Sequence, residues 1–316
     1  MRTKLSNAPA RWRVIAAFAA VYSIWGSTYL AIRFAVQTMP PFLMAGTRFV
    51  IAGVILFAWM RLRGTPAPTR RQWRATAIIG GLLLMGGNGV LAWAEQTVPS
   101  GLAALMIATV PVWMVLLEWL RGDGTRPTAG VVIGLALGLV GIVLLVGQAN
   151  FAGDHPVNPV GVIALVFAAL SWATGSFYAR HAPVPAASLL GTGMEMLTGG
   201  ALLLMVGWLT GEFSQLKLDQ VSLRSLLAFG YLIVFGSWVG FSAYTWLLRV
   251  VKPALSSTYA YVNPVVAVFL GWALAGEALT LQTVLAAAII IGAVVIITTQ
   301  QSKKGMPEPA SVAPTE

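Results

Sequence analysis

Residues 42–60 read FLMAGTRFVIAGVILFAWM, and residues 61–74 read RLRGTPAPTRRQWR. The first run is apolar over the length a helix needs to cross a bilayer, about 20 residues. The second carries Arg61, Arg63, Arg70, Arg71 and Arg74, a density of charge that hydrocarbon does not tolerate. A span followed by a basic connection is the unit from which the fold is read.

The unit recurs in both directions. Apolar stretches fall at residues 14–32, 42–60, 74–94, 101–119, 128–147, 160–179, 187–209, 225–248, 254–274 and 279–299. The chain is 58% hydrophobic and 9% charged over 316 residues, more apolar than a single aqueous core requires. In lipid the backbone must satisfy its own donors and acceptors, and runs this long do so as helices rather than as a barrel of short alternating strands. The expectation is an all-α polytopic membrane protein with ten transmembrane helices.

The net charge of +10 would favour nucleic acid in a soluble chain, but here the cations sort by side. Arg2, Lys4, Arg11 and Arg13 precede the first stretch; Arg121 and Arg126, Arg180, Arg249 and Lys252, and Lys303 and Lys304 then occupy alternate connections. The opposite connections hold only Arg33, Lys217 and Arg224. The positive-inside rule therefore places both termini in the cytoplasm, and the basicity calls for a bilayer, not nucleic acid, as partner. The first stretch resembles a secretory signal in its basic flank but is too long for one, and more spans follow. No cysteine is present, which excludes disulfides, thiolate metal sites and cysteine nucleophiles.

The sequence also repeats. A shift of 147 places lays Trp25 on Trp172, Gly46 on Gly193, Gly53 on Gly200 and Leu56 on Leu203; a shift of 153 lays Trp93 on Trp246, Pro111 on Pro264 and Trp119 on Trp272. Two five-helix repeats follow. Because five is odd, the second enters the bilayer from the opposite side, an inverted repeat of the kind secondary transporters build around a midplane site. The expected organisation is a cytoplasmic tail at 1–13, a first repeat at 14–147, a periplasmic linker at 148–159, a second repeat at 160–299 and a disordered cytoplasmic tail at 300–316.

The run Ile24-Trp25-Gly26-Ser27-Thr28-Tyr29, the segment from Val98 to Ala104 leading to Thr109-Val110-Pro111, the stretch from Tyr259 to Val265, and Gly276-Glu277-Ala278-Leu279-Thr280 together resemble EamA-domain transporters of the drug/metabolite transporter superfamily. The likeness covers nearly the whole chain and is strongest to YedA-like and YddG-like bacterial exporters. It implies a ten-helix inverted repeat in the inner membrane exporting amino acids or related metabolites, YddG-like members being associated with aromatic ones. In the first repeat Gly122-Asp123-Gly124 stands where a Gly-Glu pair is usual.

Within the first stretch Phe18, Tyr22, Trp25 and Tyr29 share a helical face, which Arg33 continues to the outer mouth. Facing a cavity, such a stripe offers stacking surfaces and hydroxyls to a ligand with a hydrophobic body and a polar head; facing a neighbour, it is ordinary packing. Asn88, Ala92 and Glu95 share a face of the third stretch, among Gly80, Gly81, Gly86, Gly87 and Gly89. Trp93 and Trp246, with Trp172, are further candidate walls. Pro111 and Pro264 each remove a backbone donor in mid-helix, so a kink or unwound turn is expected at both, as gate hinges or as plain kinks. Ser256, Tyr259 and Asn263 line one face beside Pro264, and Asn263 needs a helix, water or substrate as partner.

Arg48 and Glu195 are charges inside spans, at equivalent places in the two halves. Inversion sets them about 10 Å apart in depth, so no direct ion pair is expected. Glu195 or Glu95 could couple transport to protons; a carboxylate held by neighbouring donors is the plainer alternative.

The expected function is a secondary transporter exporting small organic metabolites, most of all aromatic or hydrophobic amino acids, by alternating access. Drug-like cations or nucleobases would also suit Trp and Tyr walls. A channel and a membrane enzyme are weaker readings: there is no HExxH or paired Asp-rich motif, and His155 and His181 lie in connections. No GxxxxGK[ST] motif occurs. No cofactor and no metal are expected; the oligomeric state is left open, a monomer being sufficient.

Overall fold

The computed structural model describes residues 11–120, 129–149, 158–251 and 259–304, and these are helical with no strand among them. Gly122-Asp123-Gly124, most of the linker with His155, Ser256 and the outermost tails lie outside the described residues. The chain runs through α1 (Arg11–Ala35), α2 (Pro41–Leu62) and α3 (Arg70–Ala94). A broken α4 follows as α4a (Ser100–Ile107) and α4b (Val110–Leu120). Then come α5 (Ala129–Ala149), α6 (Pro159–Ala179), α7 (Ser188–Leu209), α8 (Leu223–Val250), α9 (Tyr259–Ala275) and α10 (Leu281–Lys304).

Among the described residues, six helices, α1, α2, α3, α6, α7 and α8, are long and apolar enough to cross a membrane, and shorter apolar runs cover Ser100–Met114, Val262–Ala275 and Leu281–Ala293. The outer surface is as greasy as the interior: Phe167, Ile163, Leu227 and Phe269 are more than half exposed. Side chains of that kind need lipid around them. The protein is an all-α, multi-pass membrane protein.

Local chemistry sets the helix starts. Thr69 and Gln72 form a reciprocal capping box on α3, Asn158 accepts from the Val160 amide ahead of Pro159, and Ser222 accepts from the Ser225 amide. Two starts are capped from far away. Gly276 and Gly211 take left-handed backbone, at φ 68° and 77°, and each turns the following glutamate toward another helix. Glu277 accepts from the amides of Ser100 and Gly101 and from the Ser100 hydroxyl, at 2.7–3.0 Å. Glu212 accepts from the amides of Phe42 (3.2 Å) and Leu43 (2.8 Å); burial pushes its carboxyl up, and those two donors pull it back.

Helix–helix packing is closest between α2 and α7, where glycines let the backbones touch. A Cβ on Gly53 would lie 2.8 Å from the Leu197 nitrogen and 3.0 Å from the Gly193 oxygen; one on Gly200 would lie 2.9 Å from the Val50 nitrogen and 3.0 Å from the Gly46 oxygen. Gly53 thus meets Gly193 and Gly46 meets Gly200, so the two helices run antiparallel. The other main pairings are α5 with α10, α4a with α9, α3 with α6, α1 with α8, and α1 with α9.

Three helices widen into π turns: α1 over Val21–Trp25, α3 over Gly81–Gly89 and α8 over Leu232–Phe241. A π turn shifts the carbonyl pattern and swells the helix, and it frequently marks a functional site. At the prolines the outcome is unequal. The chain breaks at Ala108 and Thr109, just ahead of Pro111, and the Thr109 hydroxyl donates to the Met106 carbonyl at 2.7 Å. At Pro264, by contrast, α9 runs as helix from Tyr259 to Ala275 without such a break.

Candidate functional site

The π turns of α1, α3 and α8 converge on one cavity of about 620 Å³, its open mouth included, with α2, α4a, α6 and α9 completing the wall. Residues from both sides of the linker contribute to it.

Trp25 is its aromatic centre. Its ring meets Tyr244 at 4.7 Å between centroids and stands edge-on to Tyr259 (5.5 Å) and Trp172 (5.6 Å), and its Nε1 donates to the Gly236 carbonyl at 3.4 Å. The approach is possible because α8 is bare there: a Cβ on Gly240 would come within 2.6 Å of that nitrogen. Trp172 also meets Phe241 edge-on, at 6.4 Å. Phe49, Leu84, Leu91 and Ile107 supply aliphatic and aromatic wall; Ile107 is the last residue before the break in α4.

The polar part is small and lies on α1, α2, α3 and α9. Arg48, 3% exposed, donates from Nη2 to the Asn88 Oδ1 at 2.7 Å, and its guanidinium lies 4.3 Å from the centre of the Phe49 ring. Its Nε and Nη1 have no acceptor among the described residues. Tyr29, Tyr259 and Thr28 add hydroxyls, that of Thr28 already given to the Trp25 carbonyl at 2.7 Å. Among the described residues no carboxylate side chain lines the cavity.

Of the residues singled out in the sequence, the structure gathers Trp25, Tyr29, Asn88, Trp172, Tyr259 and Arg48 around this space. Tyr22 is outside the lining, paired with Phe18 at 5.6 Å and packed on the cluster of Val21, Tyr244 and Tyr259 that Trp25 and Trp172 also join, since the π turn over Val21–Trp25 rotates the stripe out of a single line. Trp93 and Trp246 lie outside the lining but pack behind it, Trp93 on the cluster that holds Tyr29 and Leu91 and Trp246 on the cluster that holds Tyr259. Asn263 is buried on α9 outside the lining, with no donor to its Oδ1 among the described residues. Thr28, Phe49, Phe241 and Tyr244 were not expected; the signal that could have found the last two is their spacing of three on one apolar helix face.

The remaining charges sit around the rim and elsewhere. Glu95 is fully buried just past α3, and neither carboxylate oxygen accepts a hydrogen bond among the described residues. Arg33 donates to the backbone carbonyls of Glu95 and Val98. Glu195 on α7 is buried, its Oε2 unbonded among the described residues, and the cation near it is Arg249 rather than Arg48.

Comparison with known proteins adds to this geometry. The model of the EamA-like transporter family matches residues 11–147 and again residues 159–299. The "Uncharacterized inner membrane transporter YedA" of Escherichia coli (strain K12) is 44% identical over 272 residues, covering 85% of each chain. "Protein PecM" of Dickeya dadantii is 28% identical over 81% of this chain and 82% of its own, and the "Uncharacterized transporter YoaV" of Bacillus subtilis is 23% identical over 88% and 94%. A solved crystal structure superposes with a TM-score of 0.64 over 93% of this chain and 99% of its own; at 22% identity that likeness speaks for the fold alone.

Proposed function

This chain belongs to the EamA-like transporter family, and from that premise we propose that it is a secondary transporter of the bacterial inner membrane, exporting small organic metabolites, above all aromatic or hydrophobic amino acids. The observation that carries the reading is the cavity itself: aromatic walls around a few polar groups, built where helices of the two halves meet.

Ten spans with both termini cytoplasmic, in repeats at 14–147 and 160–299, give it a frame for alternating access. Support comes from the double family match and from α2 and α7, which occupy equivalent places in the repeats and run antiparallel. The pairings agree: exchanging the halves turns α3 with α6 into α8 with α1, and α4 with α6 into α9 with α1. Pro111, at the break beside Ile107, is the hinge candidate the structure favours over Pro264. Glu95, with both carboxylate oxygens unbonded among the described residues, and Glu195, with its Oε2 so, are the candidates for proton coupling.

Counterflow in proteoliposomes with a panel of amino acids tests the reading. Preloaded tryptophan or phenylalanine should drive saturable uptake of its labelled form. Exchange of threonine or homoserine without tryptophan or phenylalanine would refute the aromatic preference, and ohmic, non-saturable flux would refute a carrier.

A further inference from the structure

Resting on that reading of the cavity, we infer that its ligand is recognised at its carboxylate end alone: Arg48 is the anion receptor, and the substrate class is the aromatic monocarboxylate, with or without an amino group.

Three observations meet here. The first is a cation where cations are costly. Arg48 sits within an apolar helix, almost wholly buried, and spends one Nη2 donor on Asn88 while Nε and Nη1 find no acceptor among the described residues. A buried guanidinium with idle donors at the edge of a cavity is stabilised by whatever brings an acceptor, and a carboxylate brings a charged one. The second is the orientation of Asn88. Because its Oδ1 accepts from Arg48, its amide N–H₂ keeps two donors on a residue that lines the cavity beside Arg48. The third is what the lining lacks. An α-ammonium needs an anion or several acceptors, and no carboxylate side chain among the described residues lines the space; Glu95 lies near enough to act on Arg48 electrostatically but is not among the lining residues. Thr28, having given its proton to a backbone carbonyl, offers a single neutral hydroxyl oxygen, fewer acceptors than the three N–H donors of an ammonium require. The polar groups therefore favour a negative ligand head, while Trp25, Trp172, Phe49 and Tyr259 receive a ring. The same positive lining opposes the aromatic cations that bare Trp and Tyr walls would accept.

Equilibrium dialysis of the purified, detergent-solubilised protein against labelled 3-phenylpropanoate, phenylalanine and phenethylamine separates the possibilities, because the three share a ring and differ only in their charged groups. The expected result is saturable binding of 3-phenylpropanoate at least as tight as that of phenylalanine, with phenethylamine weaker by tenfold or more. Arg48→Gln, verified as monodisperse by gel filtration, should lose tenfold or more in acid binding and leave the amine no weaker. If Arg48→Gln does not fold, Arg48→Lys serves, with a smaller loss confined to the acids. Binding of phenylalanine but not 3-phenylpropanoate would overturn the inference and leave the amino-acid reading standing. Binding of 3-phenylpropanoate alone would uphold Arg48 as the anion receptor, overturn the indifference to an amino group, and remove amino acids from the proposed function. Amine binding equal to that of the acid, or no binding of any of the three, would overturn it outright.

Discussion

At the scale of single residues, the cavity stands or falls with Trp25, whose ring touches Trp172, Tyr244 and Tyr259 and whose nitrogen is held by α8. An aromatic pair contributes about 1 kcal/mol beyond area burial, so losing one such contact with an aromatic ligand weakens it about fivefold. Trp25→Ala should raise the KM of tryptophan counterflow by that factor or more in protein that remains monodisperse, while Trp93→Ala, outside the lining, leaves KM unchanged. Equal behaviour of the two variants would remove Trp25 from the site. The residues that sequence could identify here are those whose chemistry is conspicuous at any rotation of the helix: a tryptophan beside a glycine, an asparagine among glycines, an arginine in a span. Arg48 was legible as an expensive charge but not as cavity wall, because a face can be assigned only when the helix phase is known. Thr28 and Phe49 carry no signal of their own in an apolar chain.

The elements were legible in extent and illegible in phase. Apolar length predicts where helices run, and each of the stretches from 14–32 to 279–299 contains helix. What length cannot show is the extra residue that a π turn inserts, and that insertion separates Tyr22 from Trp25 and Tyr29. The glycines of α3 permit close approach, as small residues in a membrane helix do: a Cβ on Gly87 would meet the Trp172 ring at 2.9 Å, and the Ser171 hydroxyl, packed against Gly86, donates to the Leu82 carbonyl at 2.8 Å. Pro111 and Pro264 look alike in sequence but diverge in structure, since only the first is preceded by a turn that takes Ala108 and Thr109 out of the helix. The strongest test at this scale is the α2–α7 crossing. Gly53→Ala or Gly193→Ala drives a methyl into opposing backbone at 2.8–2.9 Å, an overpacking that costs about 1–3 kcal/mol. Thermal unfolding in detergent should show a lowered midpoint for both. Gly292→Ala in α10 meets nothing within 4 Å, so helix propensity alone applies, up to about 1 kcal/mol in its favour, and its midpoint should rise. A Gly53→Ala midpoint as high as that of Gly292→Ala would mean that the helices do not touch there.

For the whole molecule, the proposed cycle requires that one end of the bundle open while the other closes, and one end is visibly tied. The Ser225 hydroxyl donates to the Phe34 carbonyl at 2.7 Å, and the Ser222 amide to the Thr38 hydroxyl at 3.2 Å. Arg224 reaches the Leu274 carbonyl at 3.2 Å with its guanidinium 3.5 Å from the centre of the Phe34 ring, and Arg33 holds the carbonyls that follow α3. In the proposed topology, with both termini cytoplasmic, this is the periplasmic end. These ties are mostly single hydrogen bonds to backbone, each worth about 1 kcal/mol net, so together they can hold a gate shut without making its opening slow on the timescale of transport. A covalent tie at the same place should act differently. The chain has no cysteine, so Thr38→Cys with Ser222→Cys introduces the only two thiols, at positions already within hydrogen-bond reach. Oxidation of the double variant should abolish most counterflow, reduction should restore it, and each single variant should exchange at an unchanged rate under both conditions. If the oxidised pair, its crosslink verified by mass spectrometry, still exchanges tryptophan at the reduced rate, then the periplasmic end does not part during the cycle, and alternating access between the two halves is the wrong mechanism for this cavity.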